Sequence, residues 1–166
     1  MRIMQHSQIY ILLALIISTE FNKVHPMSDS NFEAVRFLPG TDLKKNLTDY
    51  ATENHILSGF IVTCVGSLKN VTLRMAGAKE VRDFPGPLEI VSMVGTFSTS
   101  GSHFHISVSD EKGRVFGGHL MEGSVVHTTA ETIIGKIPSV RFNRKHCQKS
   151  GWPELSVEPL KHQDAK

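Results

Sequence analysis

Cysteine is scarce in this chain: Cys64 and Cys147 are the only two among 166 residues. Two cysteines cannot build a disulfide framework, so stability has to come from an apolar core. Cys64 lies inside an apolar run and reads as a buried free thiol; a bridge to Cys147 arises only if the chain is exported. Charge of one sign is also lacking, the formal net charge being +2. A dedicated phosphate-backbone binder concentrates Lys and Arg on one face or in one run. Here the one local basic cluster is Arg141, Arg144, Lys145 and Lys149, which reads as a solvated surface. Long apolar runs are missing too. Ile9–Ile17 (IYILLALII) falls well short of the about 20 residues a membrane-spanning helix requires. No repeat of fixed period occurs.

With 40% apolar and 20% charged residues the composition is that of an ordinary globular chain, long enough for one domain with a real core. Residues 1–26 form an apolar leader, either a secretory signal behind Arg2 and His6 or a dispensable extension, since a small-x-small cleavage pair is absent. Met27, after Pro26, opens a hydrophilic segment that reads equally well as a native start. The protein is secreted if the leader acts as a signal, and cytoplasmic or nuclear if Met27 initiates. The main domain is expected over 27–142, followed by a polar, mobile tail over 143–166. The sequons at Asn46 and Asn70 decide nothing alone.

Along the domain, Ala34–Leu38 reads as a strand stopped by Pro39-Gly40, and Thr41 or Asp42 then caps a helix. Leu43, Leu47, Tyr50 and Ala51 recur at helical spacing opposite Lys44, Lys45, Asp49 and Glu53, predicting an amphipathic helix of about a dozen residues. Ile56–Val65 is a nearly all-apolar central strand, broken by Gly66-Ser67, and Val71–Met75 is the next. Lys79–Pro87 reads as a polar loop. Leu88–Phe97 is a further strand, and Val125–Ile137 supplies one long or two short strands. One helix with six or seven strands suits an antiparallel-rich α+β sheet or a small open barrel.

The most distinctive segment is a hairpin from Gly101 to Leu120. In HFHISVS, Phe104, Ile106 and Val108 point to one face and His103, His105, Ser107 and Ser109 to the other. Asp110-Glu111-Lys112-Gly113 forms the turn, with Gly113 at the left-handed position of a bulged three-residue loop. Asp110 then pairs with Arg114, Val108 faces Phe116, Phe104 faces Leu120 and His105 faces His119. A register shifted by one scatters the apolar residues across both faces. The hydrophobic pairing therefore also gathers the histidines. His103, His105 and His119 together can offer three imidazole nitrogens to one metal and leave a position open for water; three neutral imidazoles favour zinc, with iron, nickel and copper left open. The competing reading is a set of half-exposed polar histidines bonded to neighbouring serines. Gly117 and Gly118 permit a bulge or a close backbone approach.

The run GTFSTSGSHFHISVSDEKGRVFGGHLMEGSVVHTTAE, with the upstream PGTDLKKNLTDYATENHILSGFIVTCVGSLKNVTLRM, resembles the plant-and-prokaryote-conserved domain (PPC or PCC) in collinear order from about Phe32 to Arg141. The resemblance implies a mixed, largely antiparallel sheet with a packed helix and a homotrimer paired through sheet edges. In the plant branch the domain follows an AT-hook, whose Arg-Gly-Arg-Pro core is absent here; the nearest string, Lys112-Gly113-Arg114-Val115, lacks the proline. DNA binding is therefore not carried over with the fold. In the free-standing branch the histidine motif matching His103, His105 and His119 is associated with metal in some members. The leading expectation is a free-standing homotrimeric binding or regulatory module carrying zinc at these histidines. The alternatives are a zinc-dependent enzyme with Glu131 or Glu122 as base, a cupin-type site using Glu111, and DNA association through the C-terminal basic cluster.

Overall fold

The computed structural model describes residues 21–23 and 31–160. The leader run 9–17, Met27 and the last six residues lie outside the described part. Among the described residues, nine strands and one helix follow in chain order: β1 (Phe21–Lys23), β2 (Phe32–Phe37), α1 (Leu43–Glu53), β3 (Gly59–Arg74), β4 (Val81–Ser98), β5 (Gly101–Ser109), β6 (Val115–Leu120), β7 (Val125–Lys136), β8 (Val140–Cys147) and β9 (Trp152–Pro159). No described helix is long and apolar enough to cross a membrane.

Asp42 caps α1, its carboxylate accepting the Lys45 N–H at 2.9 Å, while Thr41 turns back to the Leu38 carbonyl. The helix buries Leu43, Leu47, Tyr50 and Ala51, as its periodicity predicts, and lies against β4 and β7. Its Asn46 side chain is also buried, donating to the Asp42 carbonyl at 2.8 Å, so this sequon is closed to glycosylation in the folded domain. Each side chain of Leu or Tyr size hidden here contributes on the order of 1.5–3 kcal/mol.

Seven strands form one sheet in the order β1-β2-β7-β3-β4-β5-β6, with β6 also pairing with the far end of β3. Every pairing among the described strands is antiparallel, which corrects the expectation of a mixed sheet. Two other expectations change with it. The apolar run and the next strand are one 16-residue strand, because Gly66 stays paired with Ile90 on one side and Ala130 on the other. The expected polar loop before Leu88 is instead the first part of β4, where Phe84 pairs with Val71 and Pro85 with Asn70. Polar residues stand there because that end of the strand is mostly exposed on both faces.

The polar tail is the fourth correction. Residues 140–159 form the β8–β9 hairpin, paired from Val140↔Pro159 to Cys147↔Trp152. The segment hides its strand character because it has almost no core face: Phe142 is its one buried apolar side chain. Pro153 and Pro159 also read as strand breakers, yet both are tolerated in a strand with a free edge. The hairpin is fastened to the main sheet by Phe142, whose N–H donates to Leu57 O at 2.8 Å and whose carbonyl accepts from Ser98 Oγ at 2.8 Å.

The core is a single cluster formed by the buried face of α1 and the inward-facing residues of the sheet, with Phe37, Phe97, Phe104 and Leu120 fully buried. A buried polar network joins its rim: Tyr50 Oη donates to Glu33 Oε2, and Lys136 Nζ approaches Glu33 Oε1, both at 2.7 Å. Cys64 is buried and free, as expected, and Thr132 donates to its sulfur at 3.3 Å.

Candidate metal centre

The site is built by β5, β6 and the end of β3. Asp110 organises the hairpin turn: its carboxylate accepts the backbone N–H groups of Lys112 and Arg114, and Gly113 N–H closes on Asp110 O at 2.8 Å. Gly113 has φ of 75°, the left-handed conformation the bulged loop requires. The ladder then runs Ser109↔Val115, Val108↔Phe116, Ser107↔Gly117, Ile106↔Gly118 and His105↔His119, the register chosen by the apolar residues. Phe104, Ile106, Val108 and Leu120 face the core, and the three histidines share the opposite face.

The three imidazoles converge. Ring centroids are separated by 4.8 Å (His103–His119), 5.0 Å (His103–His105) and 5.5 Å (His105–His119). One nitrogen from each ring lies within 4.8 Å of the other two. His103 Nε2 and His105 Nε2 are 3.1 Å apart, close to the roughly 3.3 Å edge of a tetrahedron with about 2.0 Å metal–nitrogen bonds. Burial, the neighbouring His105 and Arg144 hold the pKa of His103 below the ordinary imidazole value, against an opposing pull from Glu154. His119 is pushed down to about 4, by burial first and then by Arg74, His103, Lys44 and His105. Both rings are therefore neutral at pH 7 with a lone pair to offer, the form a metal requires.

β6 pairs with β3 as well as β5, which sets Arg74 opposite His119. Arg74 Nη2 stands 3.3 Å from His119 Nδ1. A guanidinium only donates, so Nδ1 accepts and the ring proton sits on Nε2. Coordination by His119 consequently exchanges this contact for a metal bond or moves the proton to Nδ1. The donor set otherwise fits a zinc ion: three imidazoles converging from one hairpin, with an open side.

That open side leads into a cavity of about 700 Å3 bounded by the histidines, the loop 75–78, Arg74, and Arg144, Trp152 and Glu154 of the β8–β9 hairpin. Arg144 Nη2 is tied to Thr96, at 3.0 Å from the carbonyl and 2.7 Å from the hydroxyl. Arg74 lies over the Trp152 ring at 4.9 Å from its centroid. Neither Glu131 nor Glu122 reaches this space. Glu131 is exposed on β7 opposite Arg36, and Glu122 is exposed in the loop after β6, so both are withdrawn as bases. Glu111 sits exposed in the turn, beside Pro85–Pro87 and away from the histidines, which removes the cupin-type ligand set. The residues missed from sequence are Arg74, Trp152 and Glu154, while Arg144 reads from sequence as solvated surface or, in the DNA alternative, as part of a basic patch. A cross-strand partner and a hairpin with little core leave no periodic signal.

The family model for the Plants and Prokaryotes Conserved (PCC) domain matches residues 27–138. The chain belongs to the PCC family. The chain is also similar to the bifunctional protein GlmU of Synechococcus sp. (strain JA-3-3Ab), 38% identical over 126 residues, which are 76% of this chain and 20% of GlmU. The chain thus spans about a fifth of the length of the curated relatives it matches. Among solved structures, a hypothetical protein from Salmonella cholerae-suis (Salmonella enterica) superposes with a TM-score of 0.77 at 37% identity, covering 83% of this chain and all of that one. A metal-containing protein from Archaeoglobus fulgidus shares the fold with a TM-score of 0.61 at 22% identity, over 81% of this chain and 99% of that chain. The PCC match ends at residue 138, so β8 and β9 lie beyond it.

Proposed function

We propose that this PCC-domain protein is a homotrimeric binding or regulatory module holding a zinc ion at His103, His105 and His119. The convergence of the three imidazoles carries the reading: one nitrogen from each lies within 4.8 Å of the others, on a hairpin whose register is chosen by the core. The metal-containing relative of the same fold adds support. A bound zinc supplies a Lewis-acidic centre with a position open toward the cavity.

The trimer rests on a second feature. Val62, Val65, Val91 and Val94 are each about half exposed on β3 and β4, where Val62 and Val91 fall at register shifts that turn extra residues outward. Four valines on one exposed part of a sheet suit burial against another copy. Metal analysis of purified protein beside His105→Ala and His119→Ala tests the site. Near-stoichiometric zinc lost in both variants supports it, and zinc unaffected by both overturns the ligand set. Light scattering at micromolar concentration tests the assembly, which a monomer overturns.

An enzymatic use of the same centre is favoured by one observation, the cavity beside the histidines with Glu154 in its lining. Metal-dependent hydrolysis lost in both His119→Ala and Glu154→Gln supports that reading. The DNA alternative loses ground, because Arg144 turns into the cavity and Lys145 pairs with Glu158 at 2.5 Å.

A further inference from the structure

We propose that the cavity between the PCC sheet and the β8–β9 hairpin binds a small organic oxyanion, a carboxylate or phosphate monoester with an apolar body, between Arg74 and Arg144 and against Trp152. This site goes beyond the metal centre and does not depend on it.

Three observations point to such a ligand. The first is charge. The lining holds two guanidinium groups against a single carboxylate, Glu154, and every ion pair among the described residues lies elsewhere. Arg74 and Arg144 are half-buried, and their hydrogen-bond and ring partners are neutral: an imidazole, an indole face, a carbonyl and a hydroxyl; Glu154 attracts Arg144 but forms no ion pair with it. Partly desolvated arginines with no carboxylate in direct contact are suited to an incoming oxyanion, which their planar forks match in pairs. The second is size. A volume of about 700 Å3 lies in the range typical of small-molecule sites and is far larger than an inorganic anion requires. The third is the rest of the wall, where Met75, Ala76, Ala78, Trp152 and Pro153 supply apolar surface. A charged head between the arginines and an apolar body along this wall satisfy both halves of the cavity.

The hairpin is therefore the specificity element. It contributes Arg144, Trp152 and Glu154, and the cation–π contact between Arg74 and Trp152 links it to the histidine strands.

Trp152 is the single tryptophan of the chain, so its emission reports on the cavity directly. The probes are cyclohexanecarboxylate and cyclohexyl phosphate, which do not absorb where tryptophan does, with acetate and inorganic phosphate as heads alone and cyclohexylmethanol as body alone. The full chain is titrated as purified and after chelator treatment. At least one of the two complete probes is expected to bind at least tenfold more tightly than its bare head and than the neutral alcohol, with or without metal. The better of the two identifies the head group. Arg74→Gln and Arg144→Gln should each weaken that binding roughly tenfold or more while melting cooperatively. Arg144→Lys, which keeps the charge, should retain more affinity than Arg144→Gln and covers the case in which the Gln variant fails to fold. Equal affinity for heads, body and complete probes overturns the proposal. So does probe binding that survives both glutamine substitutions, or that occurs in the metal-loaded protein alone.

Discussion

Replacing Gly117 by alanine tests the packing that places the histidines. A Cβ built at Gly117 lies 2.3 Å from the carbonyl oxygen of Ile106 and 3.1 Å from Ser107 Cα, both backbone atoms that no rotamer change can move. Reaching even 3.0 Å opens the β5–β6 pair by about 0.7 Å, beyond the usual tolerance of a ladder whose strands lie about 4.8 Å apart. Overpacking of this kind costs about 1–3 kcal/mol. For about 130 residues each kcal/mol lowers Tm by about 4 °C, so the expected loss is about 4–12 °C. His119 stands two residues further on, opposite His105, and is displaced with the strand. Zinc affinity should fall roughly 10–100-fold, as when a supporting residue of a metal site is lost. Gly113→Ala is the control: nothing lies within 4 Å of its Cβ, and its strain, about 1–2 kcal/mol, stays in the turn. Thermal melts and a competitive zinc titration on the three proteins decide the matter. A Gly117→Ala protein within about 1 °C of wild type and unchanged in zinc affinity refutes the close-approach reasoning.

Asp42→Ala removes the acceptor for Lys45 N–H and a second bond from Gly123 N–H, and should cost about 1–2 kcal/mol in urea unfolding, with Asp42→Asn, whose one oxygen can replace only one of the two acceptors, recovering part of it. Glu33→Ala removes the acceptor of the Tyr50 hydroxyl and the carboxylate beside the half-buried Lys136 ammonium, with an expected loss of roughly 2–4 kcal/mol in the same assay; a change below about 0.5 kcal/mol contradicts the network's role. Alkaline pH should unfold the protein through two buried acids. Burial holds the Cys64 thiol up at about 11, and burial with the Glu33 contact raises Tyr50 well above its ordinary value. Between the unfolded and folded pKa values the unfolded chain has lost a proton that the native one keeps. Stability therefore falls as pH rises, from about pH 8.5 through Cys64 and from about pH 10 through Tyr50. Cys64→Ala should flatten the first decline, and a pH–stability curve level to pH 10.5 in wild type disproves it.

The helix and the histidine hairpin were legible because their signals are local. Leu43, Leu47, Tyr50 and Ala51 share one face at helical spacing, and Asp42 precedes them. In the hairpin, strict alternation and one turn geometry leave a single register that buries Phe104, Val108 and Leu120 together. Long β-strands were less legible. Gly66 and Pro85 read as breaks, but Gly66 is held by pairing on both sides, and Pro85 sits where β4 pairs with β3 alone, beside a register shift that accommodates it. The Val62 and Val91 bulges likewise disturb the period-two pattern from which strand faces are read.

The amino-acid order by itself thus determined that His105 stands across from His119 with His103 beside them, since a side-chain period of two admits one register once the core residues are named. Only the tertiary structure decided what surrounds them. Pairing of β6 back onto β3 brings Arg74 against His119, and a hairpin with one buried apolar anchor at Phe142 carries Arg144, Trp152 and Glu154 over the same face. Those meetings depend on how far the sheet curls and where its free edges close, quantities set by contacts between residues distant in the chain and carried by no local pattern.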